Sequence, residues 1–277
     1  MESDRRNKKQ KNKPKKEEEK KMKKVLIIIA LLLSLVACSK TQDSDNPLIN
    51  ELLVNDQLII AISPDYPPYE DYDNQGNIIG FDVDLMNELI VYINKEYDVD
   101  LKLTWKDMAF DTIVGALQTK QIDLGVSGFI YDPERKVYFS TPYLVSQQVV
   151  VVNSDSGINS VADLNGKKVG AQTGTTGEDV ANDIEGATVV SLSDANQIFA
   201  QLQTNAIDAL VIDKPVADNY VAANSAVILN ETLLDEETSI IVHPDNVNLQ
   251  KAIDFAIGEF LTTDAYKQLL QKWEIEQ

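Results

Sequence analysis

Apolar and polar positions alternate along this chain in two similar passages. The first opens with Gln57-Leu-Ile-Ile-Ala-Ile62, which reads as a strand, and continues into Ser63-Pro-Asp-Tyr-Pro-Pro-Tyr-Glu70, whose prolines predict a rigid loop. After a turn at Asp73-Asn-Gln-Gly76, Leu85, Met86, Leu89, Ile90 and Ile93 fall on one face of a helix that Asp82 is expected to cap. Leu101 to Trp105 alternates like a strand, Phe110 to Gln118 reads as a second helix, and Ile122 to Val126 as a short buried strand. The second passage repeats the plan. A strand at Lys168–Ala171 leads into the loop Gln172-Thr-Gly-Thr-Thr-Gly177 and a helix through Ile184. A short strand at Val189-Val190 precedes a helix that Ser193 is expected to cap, ending near Thr204, and a strand from Ile207 to Ile212 ends at Asp213. Leu117-Gln-Thr-Lys-Gln-Ile-Asp123 matches Leu202-Gln-Thr-Asn-Ala-Ile-Asp208 at five of seven positions with an offset of 85, which sets Asp213 opposite Gly128. Strands alternating with helices predict an α/β layer with parallel pairing.

Ahead of this pattern, Met22-Lys-Lys24 precedes an apolar stretch from Val25 to Val36 that ends in small residues, as a secretory signal does. That stretch is too short to span about 30 Å of hydrocarbon as a permanent helix. Leu35-Val-Ala-Cys38 resembles the lipobox of bacterial lipoproteins, which implies cleavage before Cys38 and a diacylglyceryl anchor on it. Cys38 is the single cysteine, so no internal disulfide can form. Residues 1–21 are charged and of low complexity, and Met22 is the expected start; residues 38–50 read as a polar tether.

Residues 1–37 hold 12 of the 25 Lys+Arg and 5 of the 44 Asp+Glu, leaving 13 positive against 39 negative residues in the rest. That balance opposes a nucleic-acid role, which needs cations for phosphates. His243 is the single histidine, so a zinc or copper site is not expected, and no CxxC, P-loop, GxGxxG or GxSxG is present. No cofactor is expected.

Open parallel sheets bind ligands beyond the carboxyl ends of their strands. Four such ends are available: Ser63–Glu70, Ser127–Arg135, Gln172–Gly177 and Asp213. Arg135 is the sole arginine beyond residue 6 and carries the side chain best shaped to hold a carboxylate. Thr175 and Thr176 begin a helix, where backbone amides favour an anion. Asp213 offers a counter-charge for an ammonium, and Tyr66, Tyr69 and Phe110 offer flat walls. Each has a plainer reading: Arg135 as a surface residue after Pro133, Thr175 or Thr176 as a helix cap, Asp213 as a cap before Pro215, Phe110 as core.

From about Asn50 to Trp273 the chain resembles the polar amino-acid-binding proteins of ABC importers, solute-binding family 3. The motifs are Asp65-Tyr-Pro-Pro-Tyr-Glu70, Gly80-Phe-Asp-Val-Asp-Leu85, Ala116-Leu-Gln-Thr119, Pro133-Glu-Arg-Lys136, Phe139-Ser-Thr-Pro-Tyr143, Asp163-Leu-Asn-Gly-Lys-Lys-Val-Gly170, Gln172-Thr-Gly-Thr-Thr-Gly177 and Lys272-Trp273. The resemblance implies a two-lobed periplasmic-binding-protein-like (type II) α/β fold, each lobe a mostly parallel sheet flanked by helices. Lobe 1 would be 51–145 plus 240–277 and lobe 2 146–239, joined by two extended crossovers with the ligand cleft between them. It further implies that Arg135 and the backbone at Thr176 hold an α-carboxylate, that Asp213 and groups near Ser127 and Gly128 hold the ammonium, and that Tyr66 and Phe110 sandwich the side chain. Ser63, Tyr69, Phe129, Gln172 and Thr175 complete the candidate set.

Two departures bear on ligand choice. Many members carry aspartate at Ser63, and many carry threonine or serine at Ile130. The ligand expected is an L-amino acid, polar or basic; Asp65, Glu70 and Asp111 suit a basic side chain, and the tyrosines with Gln172 a neutral polar one. The expected partners are an ABC permease with its ATPase and the membrane through Cys38, with the protein a monomer on the extracytoplasmic face. The alternatives are a cyclohexadienyl-dehydratase-like enzyme on the same fold and a ligand-sensing subunit of a membrane receptor.

Overall fold

The computed structural model describes residues 56–276. The expected signal segment, Cys38 and the tether lie outside them. In chain order the elements are β1 (Gln57–Ile62), β2 (Asp71–Tyr72), β3 (Ile78–Ile79), α1 (Phe81–Tyr97), β4 (Lys102–Asp107), α2 (Phe110–Gln118), β5 (Leu124–Ile130), β6 (Tyr138–Phe139) and β7 (Leu144–Asn153). They continue with β8 (Lys168–Gln172), α3 (Thr176–Asn182), β9 (Thr188–Leu192), α4 (Ala195–Gln203), β10 (Ala209–Asp213), α5 (Lys214–Ala223), β11 (Ala226–Val242), α6 (Val247–Phe260) and α7 (Asp264–Lys272). A 3-10 turn covers Pro133–Arg135. No helix among the described residues is long and apolar enough to cross a membrane.

The main sheet runs β4-β1-β5-β11-β7-β10-β8-β9. In the first half β1 pairs in parallel with β4 and β5; in the second, β8 pairs in parallel with β9 and β10. The long strands β7 and β11 run antiparallel to each other through the middle and join the two halves, as the expected crossovers do. Helices cover the sheet because their apolar faces need a partner. On α1, Leu85, Met86, Leu89 and Ile93 are buried, as their spacing predicts. The hydrophobic core includes Leu85, Leu124, Val149, Val151, Leu210 and Ile240, and so draws on both halves and on both long strands.

The internal repeat is visible in the hydrogen bonds. Thr119 and Thr204 end α2 and α4, each hydroxyl donating to the carbonyl four residues back, on Gly115 and Ala200. Lys120 and Asn205 follow with φ of 57° and 56°. Asp123 accepts from the Ile59 N–H and Asp208 from the Lys168 N–H, both at 2.8 Å. In each half, then, one aspartate ties the start of the third strand to the first.

Three expectations are corrected. Asp82 does not cap α1: Gly80 holds that position with φ 143°, where a Cβ would fall 2.0 Å from the Tyr69 carbonyl oxygen. Asp82 instead turns inward and accepts from Tyr143 Oη at 2.8 Å and from Gly128 N at 3.1 Å. The cap of α4 is Asp194, which accepts from Gln197 N, rather than Ser193. Strand β5 continues to Ile130 past the predicted end at Val126, because β11 supplies partners out to Thr238↔Ile130. The register shifts between Ser239 and Ile241, and Gly128 takes φ 60°, so the polar Ser127-Gly128 pair sits in an irregular part of the ladder.

Candidate functional site

The strand ends of both halves meet around a cavity lined by Ser63, Asp65, Tyr66, Phe110, Ser127, Gly128, Ile130, Arg135, Gln172, Thr175, Thr176 and Asp213. Ten of the twelve candidate residues are among them. Tyr69 and Phe129 are the exceptions, since both side chains are fully buried. They stand behind the lining: Tyr69 stacks on Tyr66 with ring centroids 6.1 Å apart, and Phe129 on Phe110 at 4.7 Å.

Arg135 enters from the 3-10 turn, whose cap Asp132 accepts from Glu134 N. Its guanidinium lies over the rings of Phe110 and Phe129, 5.6 and 5.4 Å from their centroids, a cation–π arrangement that places a desolvated charge on an apolar floor. Nε faces Asp132 Oδ2 at 3.3 Å, and Nη2 donates to the Gly174 carbonyl of the second half at 3.0 Å. Nη1 is buried and has no hydrogen-bond partner. A buried donor of this kind is costly unless something accepts from it, so the geometry offers an anion position beside Phe110. The surface-residue reading of Arg135 does not fit a side chain only 10% exposed.

Thr175 is the N-cap of α3. Its hydroxyl accepts from Glu178 N and donates to the Gln172 carbonyl, so the helix-cap reading of Thr175 is realised. Thr176 opens the helix and faces the cavity.

Asp213 sits at the N-terminus of α5 but makes no capping bond there. Its carboxylate accepts from Tyr66 Oη at 2.6 Å, from Ser146 Oγ at 3.1 Å and from Gln148 Nε2 at 3.1 Å. Burial pushes its carboxyl up, and those three donors oppose the shift. Asp65 is a second lining carboxylate. It accepts from Ser63 Oγ at 2.9 Å, from Gln172 Nε2 at 3.1 Å and from the Ala195 N–H at 2.8 Å, so a first-half acid is held by two second-half donors. Burial raises it too.

Behind the lining, Ser63 N donates to Ser127 Oγ at 3.2 Å, and Ser127 Oγ donates to Glu70 Oε1 at 2.5 Å. Burial, and next the neighbouring Asp82, push the Glu70 carboxyl well up, while burial pushes Asp82 up to about 6. Glu236 on β11 is 5% exposed, and burial followed by the charge of Asp213 pushes it up to about 7. Sequence reasoning did not single out Glu236, Ser146 or Gln148. For Ser146 and Gln148 a signal lies in β7, where they alternate on one face with Leu144, Val150 and Val152. Among the described residues, no group of three or more His, Cys, Asp and Glu is arranged to hold a metal ion.

The arrangement can hold a zwitterion, with one guanidinium for a carboxylate, carboxylates for cationic groups and aromatic walls between. Comparison with known proteins agrees with that chemistry. The sequence profile of the bacterial extracellular solute-binding proteins, family 3, matches residues 58–276. The arginine-binding extracellular protein ArtP of Bacillus subtilis is 32% identical over 225 residues, covering 78% of this chain and 86% of that protein. A mutant crystal structure of ArgBP from T. maritima superposes with a TM-score of 0.75 at 35% identity, over 82% of this chain and 98% of that one. An ancestral amino acid-binding protein, described as a precursor of cyclohexadienyl dehydratase, superposes with a TM-score of 0.74 at 29% identity, over 81% and 98%. With its profile match spanning most of the sequence, this chain belongs to the bacterial extracellular solute-binding proteins, family 3.

Proposed function

We propose that this protein is the extracytoplasmic, lipid-anchored substrate-binding component of an ABC importer, and that it binds an L-amino acid with a cationic side chain, arginine first. The observation that carries the ligand class is the charge inventory of the cavity: one guanidinium, Arg135, against two lining carboxylates, Asp65 and Asp213, drawn from different halves. A neutral zwitterion would match Arg135 with its carboxylate and Asp213 with its ammonium and leave Asp65 without a cation. An arginine side chain supplies that cation. The arginine-binding relatives support the same choice.

The roles follow residue by residue. Arg135 and the Thr176 end of α3 take the α-carboxylate, Asp213 with the Ser127–Gly128 segment takes the ammonium, and Tyr66 and Phe110 flank the side chain. Ser63, Gln172 and Thr175 hold the lining acids and loops in place. Lobe 1 comprises 51–145 and 240–277, lobe 2 comprises 146–239, and β7 and β11 act as the hinge. Closure is a population shift set by contacts the ligand makes to both lobes.

Calorimetry with L-arginine, L-lysine, L-histidine, L-glutamine and L-cystine tests this reading, with arginine expected to bind tightest. Tighter binding of a neutral amino acid would overturn the ligand class. No ligand tighter than about 1 mM, a binding energy of only about 4 kcal/mol, would overturn the binding role itself.

The anchor rests on Leu35-Val-Ala-Cys38. Labelling with a palmitate analogue should mark the wild type and not Cys38→Ser, and the variant should leave the membrane fraction. Delivery to a permease would show as loss of arginine uptake when the protein is depleted. Binding without turnover is the further expectation; water elimination from a cyclic dienyl acid would instead favour the dehydratase-like alternative.

A further inference from the structure

Strands β7 and β11 carry a polar patch that the ligand contacts proposed above leave unused. Ser146, Gln148, Glu236 and Thr238 are all 5% exposed or less, and Glu236 pairs with Ser146 across the ladder. The Gln148 amide nitrogen donates to two carboxylates at once, to Glu236 Oε2 at 2.8 Å and to Asp213 Oδ2 at 3.1 Å. Glu236 Oε1 and Gln148 Oε1 are buried with no hydrogen-bond partner.

The surroundings of the pair are mostly neutral donors. Asp213 faces the Tyr66 hydroxyl and Ser146, with Tyr69 beside it. Glu236 faces Thr176 of α3 and, at longer range, Arg135. Arg135 is the cation whose charge reaches Glu236, and it is also matched against Asp132 and Asp179. Two buried carboxylates sharing one amide cannot both ionise without a large electrostatic cost, so they titrate as a pair.

We propose that Glu236 is a positioning residue for the ligand's ammonium: in the free protein it and Asp213 hold one proton between them, and the bound ammonium takes the place of that proton. This rests on the amino-acid-binding reading and extends it, because ligand capture is then coupled to proton release. The step balances. The singly protonated pair plus an ammonium ligand becomes the doubly ionised pair in contact with the ammonium, and one proton passes to solvent. The physical reason is that an opposite charge at hydrogen-bond range stabilises the ionised form of a carboxyl. The raised position of Glu236, up to about 7, sets the window in which the exchange is felt.

The test is calorimetry of the purified protein with L-arginine, in pairs of buffers with different ionisation enthalpies, from about pH 5.5 to about pH 8. Below about 7, proton release approaching one per ligand is expected, and the association constant should rise up to about tenfold per pH unit. Above that window both effects should vanish. In Glu236→Gln the amide bridge can persist, proton release should fall towards zero, the pH slope should flatten, and binding should be weaker than in wild type, by more than about tenfold above about pH 7 and by less at about pH 6. A residue that merely packed the hinge would change affinity without changing the pH slope. Arginine binding by wild type without proton release, or a slope retained in Glu236→Gln, would overturn the proposal while leaving the binding reading intact. Absence of binding by any amino acid at every pH would sink both together.

Discussion

The third strand of each half ends in a different chemistry. β5 presents Gly128, an open backbone position whose N–H is given to Asp82, whereas β10, at the equivalent place 85 residues on, presents the buried carboxylate of Asp213. The scaffolds leading up to these ends are alike, with the same threonine helix ends and the same aspartate-to-strand ties. The repeated unit therefore places a strand end reproducibly, and the residue standing there decides what it offers. The first half adds the cation Arg135 and its aromatic floor; the second adds Asp213, Gln172 and the start of α3. The cation and one lining acid, Asp65, thus come from the first half, and the other lining acid, Asp213, from the second.

Breaking the first half's contribution should have the largest effect. Arg135→Ala is expected to weaken arginine binding by about 2–5 kcal/mol, because a desolvated carboxylate loses its partner. Unchanged affinity by calorimetry would mean that the carboxylate sits elsewhere. Arg135→Lys should recover only part of the loss, since an ammonium cannot reproduce the planar fork. The second half's counterpart, Asp213→Asn, should cost about 1.5–3 kcal/mol, the range for a hydrogen bond to a charged group. A loss larger than that of Arg135→Ala would reverse the ranking of the two halves.

Stability against pH probes the buried acids that both halves direct inward. Asp82 and Glu236 hold their protons more tightly folded than unfolded, at about 6 and about 7. The folded state therefore binds more protons across the interval from the ordinary carboxylate range up to those values, and stability must fall as pH rises through it. Thermal melts of the ligand-free protein should show the midpoint dropping between about pH 5 and about pH 7.5. The expected loss is on the order of 2 kcal/mol. Asp82→Asn should flatten the slope, and a midpoint that climbs with pH over this range would contradict the assignment.

The equivalence of the scaffolds gives a smaller effect. Asp123→Ala and Asp208→Ala should each cost about 1–2 kcal/mol in denaturant unfolding, the penalty for leaving a backbone N–H without its partner. A difference between them above about 1 kcal/mol would break the proposed symmetry. Smallest of all, Thr175→Ala should lower stability by about 1 kcal/mol through loss of the α3 cap. It should affect ligand affinity less than Arg135→Ala, because the Thr175 hydroxyl is committed to its own helix.

Much of this organisation was legible along the chain. The bounds of β1 and α2, the five-in-seven repeat and ten of the twelve candidate positions around the cavity follow from local patterning and motif resemblance. These are features of short range: side-chain period, turn chemistry and a strand that must bury its apolar face. Where local reading failed, a distant partner had won. β5 ran past Val126 because β11, more than a hundred residues later, supplied its ladder. Asp82 gave up the expected cap because Tyr143 and Gly128 reach it from other elements.

The charges divide in the same way. Sequence by itself determined that the chain carries one arginine beyond residue 6 and a large acidic excess, and so set the sign of any ligand group Arg135 could hold. Only the tertiary structure decided which acids face one another. It placed Glu236 beside Asp213 beneath one glutamine amide and left Arg135 Nη1 buried without an acceptor. Proximity across the fold and exclusion of water set those energies, and neither is encoded in the spacing of residues along the chain.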